Sequence, residues 1–238
     1  MGGDLSVHLS TACPFDRSAL DQLLLNQSTL IFEISCPKSL THSALPLSQS
    51  VRLHRKHMRV FAFVRNIMIG REGMTTSFLL KALTDCGVTE PESFLSTGNF
   101  AFTLHSGNLR VLEVDFANLI SRKLGRFEPV FCRSLAHISS LIESHPFQGK
   151  DEPAIYERCI SFLSQAPSCP LALPIVSKRG DVEVFKIVES DSYSTTRFIA
   201  GRTSNAGAIL EPLLSTKVTT RNWNTVLRLH AKSATKEA

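Results

Sequence analysis

From residue 58 onward, short apolar runs alternate with longer segments in which apolar residues recur every three or four positions. Two segments have this helical spacing, at residues 76–86 and 109–124. Four shorter runs around them predict β-strands, at residues 59–64, 93–96, 100–104 and 128–132. The predicted order is therefore β-α-β-β-α-β, the ferredoxin-like plan, in which two helices cover one face of an antiparallel sheet.

Residues with a strong capping preference mark the ends of both predicted helices. Thr75 or Thr76 begins the first helix and Asn108 begins the second, because short polar side chains accept hydrogen bonds from free backbone N–H groups. Gly87 and Gly125 end the two helices, since glycine readily adopts the left-handed conformation that commonly follows a helix.

The second half of the chain has a weaker pattern. A helix that Ser134 caps is predicted to end before Pro146. Further elements are predicted as strands at residues 156–163, 182–188 and 197–200, and as helices at 208–214 and from about Asn224. We therefore predict an α+β fold with two ferredoxin-like subdomains, at residues 58–133 and 134–232, the second of them degenerate, followed by a tail at residues 233–238.

Residues 1–57 differ in composition from the rest of the chain. They are rich in Ser, Thr, Leu and Pro, lack a clear periodicity and end in a basic patch at residues 52–57. This pattern predicts a poorly ordered N-terminal extension. A targeting segment is an alternative, but three acidic residues disfavour a transit peptide: Asp4, Asp16 and Asp21. A second alternative is that Met58 is the true start.

Composition restricts the classes of function without choosing among them. The net charge is +5 and the isoelectric point is near 9.0, but no long Lys/Arg tract is present, so nucleic acid is not the favoured partner. The six cysteines show no C-x-x-C pair or metal-ligand spacing, which predicts reduced thiols, no metal and no cofactor. No stretch is long and apolar enough to cross a membrane, and we expect a soluble cytoplasmic protein.

The segment around the single tryptophan is the most distinctive candidate site. Arg221, Asn222, Trp223 and Asn224 stand where a helix is predicted to begin. As a binding site, they combine a bidentate cation, amides and a stacking surface near free N–H groups. As structure, Asn222 caps the helix, Trp223 fills the core and Arg221 pairs with a carboxylate of the other subdomain.

A cleft between the subdomains is the predicted location of a ligand. We expect Arg65, Asn99 and Arg202 to line it together with Arg221, Asn222 and Asn224. Arg and Asn bind and orient ligands, but they rarely transfer protons near neutral pH. The sequence therefore favours a non-catalytic binding module for a small anionic ligand or a protein partner, with the oligomeric state left open. A tight turn is the structural alternative for Gly98 and Asn99.

Nucleic-acid binding is one alternative hypothesis. Phe63, Phe100 and Phe102 lie in predicted strands one and three, where RNA-recognition motifs carry aromatic rings that stack on bases. Phe100 and Phe102 share one face by period-two alternation, but a core face has the same alternation. The hypothesis requires these rings to be exposed beside basic residues on an open sheet face.

An enzyme that acts on a phosphorylated or carboxylate substrate is the other alternative. Such an enzyme needs a general base, and no paired acids mark one in the sequence. The hypothesis requires Glu128, Asp181 or His145 to enter the cleft.

Several short motifs between Met58 and about Leu229 resemble those of a family named for its unknown function, DUF1697. A family pattern L-R-G-I-N-V-G-G corresponds to residues 64–71, S-G-N to 97–99 and N-P-F to 145–147. G-R-S corresponds to residues 201–203, and R-N-W-N-T is intact at 221–225. The resemblance implies two ferredoxin-like subdomains and no known activity. Three positions depart from the pattern and put any family site near them in doubt: Asn66, Met68 and Arg71.

Overall fold

The computed structural model describes residues 57–234, which belong to one compact unit. The predicted N-terminal extension, apart from its last residue, and the last four residues of the predicted tail lie outside this part of the chain. Within residues 57–234 the fold is α+β, with two antiparallel sheets and five helices. None of the helices in this range has the length and apolarity that a transmembrane segment requires.

The first sheet has the strand order β2-β3-β1-β4, with every neighbouring pair antiparallel. Its elements follow one another as β1 (Met58–Val64), α1 (Thr76–Asp85), β2 (Thr89–Phe94), β3 (Asn99–Leu104), α2 (Leu109–Leu124) and β4 (Val130–Ser134). Thr75 caps α1 and Asn108 caps α2 through their side-chain oxygens, and Gly125 ends α2 in the left-handed conformation. These caps agree with the sequence analysis.

The apolar side chains of β1 are buried on both faces of the sheet. Val60, Ala62 and Val64 pack under α1 and α2 in one hydrophobic core. Phe61 and Phe63 point to the opposite face and belong to a second core, which joins the two sheets. Burial on both sides explains why β1 reads as a continuous apolar run and not as an alternating one.

The second sheet has the strand order β6-β7-β8-β5-β9 and is also antiparallel. It follows α3 (Leu135–Glu143), and its elements are β5 (Glu157–Leu163), β6 (Ile175–Val176), β7 (Val182–Val188), β8 (Asp191–Thr196), α4 (Gly207–Leu214), β9 (Val218–Asn222) and α5 (Trp223–Ala234). The strand predicted at residues 197–200 is wrong, because Ile199 and Arg202 form only an isolated bridge. Strands β6, β8 and β9 were not predicted.

An aromatic core fills the space between the two sheets. The rings of Phe63 and Phe162 stack with centroids 4.6 Å apart, which joins β1 to β5. Phe147 contacts both Tyr193 and Trp223 in the same core. Burial of these large apolar surfaces is the main favourable contribution to the association of the two sheets.

Both faces of the first sheet are therefore covered, which removes the surface that base stacking requires. Phe63, Phe100 and Phe102 are all 0% exposed. Phe63 faces the second sheet, whereas Phe100 and Phe102 lie under the helices, where Phe100 meets Phe116 edge to face. The nucleic-acid hypothesis for these three rings is corrected accordingly: the alternation in β3 marks a core face and not an exposed one.

Candidate functional site

A cleft of about 440 Å³ opens beside the junction of the two sheets. Its walls come from α4, the adjoining ends of β5, β8 and β9, and the loop after β1. We call the part of the fold with the first sheet the first half and the part with the second sheet the second half. The first half contributes Arg65 and Asn66 to the cleft. The second half contributes mainly polar side chains: Glu157, Thr196, Asn205, Glu211, Thr220, Arg221 and Asn222. The volume lies within the range of small-molecule sites.

Arg221 donates hydrogen bonds through all five of its N–H groups, and three of these bonds join the two halves. Its Nε donates to Asn99 Oδ1 at 2.7 Å, and Nη2 donates to the carbonyl oxygens of Val64 and Thr97 at 2.8 and 3.2 Å. Its Nη1 donates within β9, to Thr219 Oγ1 and to the carbonyl oxygen of Thr220. We call the contacts of Arg221 with residues 64, 97 and 99 the seam.

No carboxylate pairs with Arg221 among the described residues, which corrects the expectation that it would form a salt bridge to the other subdomain. Burial lowers the pKa of its guanidinium to about 10, because the charged form loses water without gaining an anion. Neutral oxygens of the seam and of β9 satisfy its donors instead. The guanidinium is therefore built into the structure and has no free N–H for a ligand.

Asn99 and Gly98 complete the seam from the first sheet. The Asn99 side chain is fully buried, accepts from Arg221 and donates to the Phe94 carbonyl oxygen and to Thr97 Oγ1. Gly98 has φ +70°, and a Cβ there would lie 2.7 Å from Cγ1 of Ile67. The turn at residues 97–99 therefore requires glycine at its centre. It brings two of the family-like motifs together, at residues 97–99 and 221–225.

Asn222 caps α5, as the structural interpretation of the sequence predicted. Its Oδ1 accepts from the backbone N–H of Asn224 at 2.9 Å, and its Nδ2 donates to Glu157 Oε1 at 3.1 Å in the cleft. Trp223 points to the other side of the strand and is buried in the core between the sheets. The indole is therefore not a wall of the cleft, although Asn222, its neighbour in sequence, is.

Arg65 forms the rim of the cleft through an ionic bridge between the halves. Its Nε and Nη2 donate to the two carboxylate oxygens of Glu211 at 2.8 and 2.9 Å. Its Nη1 donates to Glu128 at 3.1 Å. A bidentate Arg–carboxylate pair has well-defined geometry, and the side chain of Arg65 is 20% exposed, so this bridge fixes α4 against the loop after β1.

The structure brings some of the predicted site residues to the cleft and leaves others away from it. Arg65, Arg221 and Asn222 line it, and Asn99 lies behind Arg221 in the seam. Arg202 and Asn224 are exposed and do not line it. Of the three departures from the family pattern, only Asn66 reaches the cleft.

The three residues named for the enzyme hypothesis do not line the cleft. Glu128 lies behind Arg65, and Asp181 is buried in a separate turn, where its hydrogen bonds with Arg179 and Ser177 lower its pKa. His145 lines a different depression, next to Trp223. Two other carboxylates line the cleft instead, on Glu157 and Glu211.

Cys159 is a thiol of the cleft floor, but it is not activated as a nucleophile. Burial, and to a smaller extent the nearby carboxylate of Glu157, together raise its pKa to about 12. A nucleophilic cysteine requires the opposite shift, toward the thiolate. Cys159 is therefore a protonated, mostly buried side chain near neutral pH.

Sequence reasoning missed Glu157, Thr196 and Glu211. Glu157 and Thr196 are direct neighbours across β5 and β8, and β8 was not predicted because its sequence, D-S-Y-S-T-T, lacks apolar alternation. All six of its residues are nevertheless buried. The run of hydroxyl residues gave no signal for a buried strand, since such strands are normally rich in Val, Ile and Leu.

The comparisons with known proteins agree with this architecture. The fold defines an α+β protein with two antiparallel sheets. A family model, described as protein of unknown function (DUF1697), matches residues 58–193, more than half of the chain. The chain therefore belongs to this family. The match ends before residues 201–203 and 221–225, so the resemblance at those two motifs stays a prediction.

One solved structure supports the fold alone. The conserved bacterial protein SP0830 from Streptococcus pneumoniae superposes with a TM-score of 0.52 at 16% identity, covering 74% of this chain and 98% of that chain. At this identity the likeness carries no inference about activity. Among curated proteins, no sequence matches this chain.

Proposed function

We propose that this protein is a non-catalytic binding module whose cleft takes a small polar ligand of low net charge. The observation that carries the proposal is the cleft itself: about 440 Å³, lined by polar side chains from both halves of the fold. Sites at the junction of two substructures are common positions for small ligands.

The charges of the lining side chains narrow the ligand class. Arg65 and Arg221 are balanced by Glu157 and Glu211, and Arg65 is already paired with Glu211 in a bidentate bridge. A strongly anionic ligand would have to displace Glu211 from Arg65 and would find no free donor on Arg221. We therefore favour a polar ligand of low net charge over the small anion that the sequence indicated.

The side chains of the cleft support binding more than chemistry. Arg and Asn rarely exchange protons near neutral pH, and the raised pKa of Cys159 leaves it protonated. A carboxylate such as Glu157 can act as a base, but its neighbours in the cleft include no activated nucleophile among the described residues. A binding role needs only the geometry that is present.

We also infer that both halves are variants of the ferredoxin-like plan, divided near residues 133 and 134. The first sheet has the order β2-β3-β1-β4, and β7-β8-β5-β9 follows the same order when β5 is counted as the first strand. A Pro-rich connection stands where the second half would have its first helix. We place the protein in the cytoplasm because its described cysteines are free thiols.

A blocked cleft tests the proposed function. Ala208 is exposed in the first turn of α4 and lines the cleft, so Ala208→Trp fills the cavity without disturbing a core. Val114→Trp, at an exposed position of α2, introduces the same ring on a remote surface and is the control. Ligand-observed NMR with a panel of polar fragments should find binding to the wild type and to Val114→Trp.

The same panel should lose binding to Ala208→Trp by at least tenfold. The proposal is wrong if no fragment binds the wild type. It is also wrong if every fragment that binds does so equally well to Ala208→Trp, because the ligand site would then lie elsewhere. Circular dichroism of both variants establishes that each is folded before the comparison.

A further inference from the structure

The floor of the cleft contains a buried hydroxyl that has no hydrogen-bond partner in the described part of the chain. Thr196 lines the cleft, is 1% exposed, and its Oγ1 is unpaired. Within this part of the chain, Ser192, Ser194 and Thr195 of β8 also have buried, unpaired hydroxyls, but of these four residues only Thr196 lines the cleft. Buried polar groups without partners are uncommon, and a ligand that supplies the partner is one explanation.

An acidic side chain that lacks a cation lies next to this hydroxyl. Glu157 pairs directly with Thr196 across β5 and β8. One carboxylate oxygen accepts from Asn222 Nδ2 at 3.1 Å, and the other meets only the Cys159 thiol, at 3.9 Å. Within residues 57–234 no Lys, Arg or His pairs with it, and the two arginines of the cleft are engaged by Glu211 and by the seam.

We propose that Glu157 and Thr196 form a subsite for a cationic amine. A carboxylate oxygen and a hydroxyl that are both short of partners accept from an ammonium group, which has three N–H donors and no acceptor. The positive charge of the ammonium would also complete the ion pair that Glu157 lacks. This inference rests on the proposed function, because it names the ligand group that the same cleft recognises.

The neighbourhood of the subsite favours an amine over an anion. The first acceptor is negatively charged, and the nearest thiol is protonated, so an anionic group here would meet repulsion without gaining a donor from a cation. Asn222 is fixed by its bonds to the α5 backbone and to Glu157, which orients the carboxylate before a ligand arrives. An oriented acceptor loses less conformational freedom on binding.

Three small probes of similar size test the proposal: ethanolamine, ethylene glycol and glycolate. They share a hydroxyl and differ in carrying a cationic amine, a second hydroxyl or a carboxylate. Two-dimensional 1H–15N NMR should show saturable shifts of the Glu157, Thr196 and Asn222 backbone amides with ethanolamine. Ethylene glycol should bind at least fivefold more weakly, and glycolate more weakly still.

Three variants identify the contacts. Glu157→Gln keeps the acceptor for Asn222 but removes the charge, and should weaken ethanolamine binding at least tenfold. Thr196→Val removes only the hydroxyl and should weaken it about threefold without lowering the melting temperature, because that hydroxyl has no partner to lose. Glu189→Gln, the same change at an exposed position in the turn between β7 and β8, should leave binding within twofold of the wild type.

Two results would overturn the amine subsite: glycolate binding at least as tightly as ethanolamine, or ethanolamine binding that Glu157→Gln leaves unchanged. If polar fragments still bind and Ala208→Trp still blocks them, the proposed function stands and only the amine subsite fails. If neither the fragments nor ethanolamine bind the wild type, both fail together.

Discussion

The seam and the cleft lie next to each other and share Arg221, yet they use their polar groups in opposite ways. Arg221 enters the seam and makes five hydrogen bonds, so none of its donors is left over. One residue later, Asn222 enters the cleft and contacts a carboxylate that no cation pairs with among the described residues. The seam is saturated, whereas the cleft retains unused acceptors.

This difference shows that residue type alone does not distinguish a binding site from a structural contact. Arginine and asparagine are frequent in ligand sites, but Arg221 and Asn99 satisfy each other and the surrounding backbone. Glu157 and Thr196 have less distinctive identities, yet they retain binding capacity. The unsatisfied groups, and not the motif residues as such, indicate where a ligand binds.

Removal of the guanidinium of Arg221 should break the seam and have the largest effect. Arg221→Ala leaves three acceptors of the first half, on residues 64, 97 and 99, without their donor in a mostly buried place. Breaking a buried polar network of this kind costs about 4 kcal/mol. Urea unfolding of the purified variant should show that loss as a lower midpoint.

Two companion variants separate geometry from charge. Arg221→Lys keeps the charge but places three donors at one point, so it should recover less than half of the loss. Arg202→Ala removes an exposed arginine and should change stability by less than about 0.5 kcal/mol. A loss below about 1 kcal/mol for Arg221→Ala would contradict the view that the seam holds the halves together.

A methyl group at Gly98 should strain the seam without removing any of its hydrogen-bonding groups. Gly98→Ala combines an unfavourable φ of +70° with a Cβ 2.7 Å from Ile67 and 3.0 Å from the Val64 carbonyl oxygen. Gly125→Ala has nearly the same φ, +71°, but no atom lies within 4 Å of its Cβ. The expected losses are about 3 kcal/mol for Gly98→Ala and about 1 kcal/mol for Gly125→Ala.

Thermal and urea unfolding of both alanine variants measure that difference directly. Because Gly98 and Gly125 have nearly the same φ, the additional loss of stability in Gly98→Ala measures the effect of the close approach of the turn to β1. Equal losses would mean that φ strain alone explains both, and that the turn at residues 97–99 has room to relax away from Val64.

The sequence predicted the first sheet and its caps because those features depend on local rules. Thr75, Asn108 and Gly125 act within their own turn of helix, and β1 is marked by a run of apolar residues. The same local rules placed Asn222 at the start of α5. These rules did not reveal strand β8, since a buried strand of serines and threonines has no apolar pattern to detect.

The seam and the cleft depend on contacts between residues far apart in the chain, which local patterns do not encode. Arg221 was expected to find a carboxylate, but its partners are an amide and carbonyl groups about 120 to 160 positions away, whose positions only the folded topology sets. Glu157 and Thr196 become neighbours through the antiparallel register of β5 and β8. That Glu157 lacks a cation and the Thr196 hydroxyl lacks a hydrogen-bond partner among the described residues becomes evident only from the contacts of the folded protein.

The thiol of the cleft floor provides a smaller test, because its ionisation should destabilise the folded state at alkaline pH. The pKa of Cys159 is raised from 9.0 to about 12 in the folded protein, so the unfolded chain loses this proton first as pH rises. Between pH 9 and 12 the folded state binds more protons than the unfolded state, and the free energy of unfolding falls, by up to about 1.4 kcal/mol per pH unit. Below pH 9 the contribution of Cys159 to the free energy of unfolding is constant.

Cys159→Ala should remove this part of the alkaline loss while Cys169→Ala, at an exposed cysteine, should not. Urea unfolding at pH 8, 9 and 10 should show the wild type and Cys169→Ala losing about 1 kcal/mol more than Cys159→Ala over that interval. Cys86 and Cys132 also have raised pKa values, but both are present in every protein compared, so they cancel in the difference. Parallel slopes for all three proteins would mean that water reaches the floor beside Glu157 and stabilises the thiolate, and the cleft would then be wetter at its base than the buried, unpaired hydroxyl of Thr196 indicates.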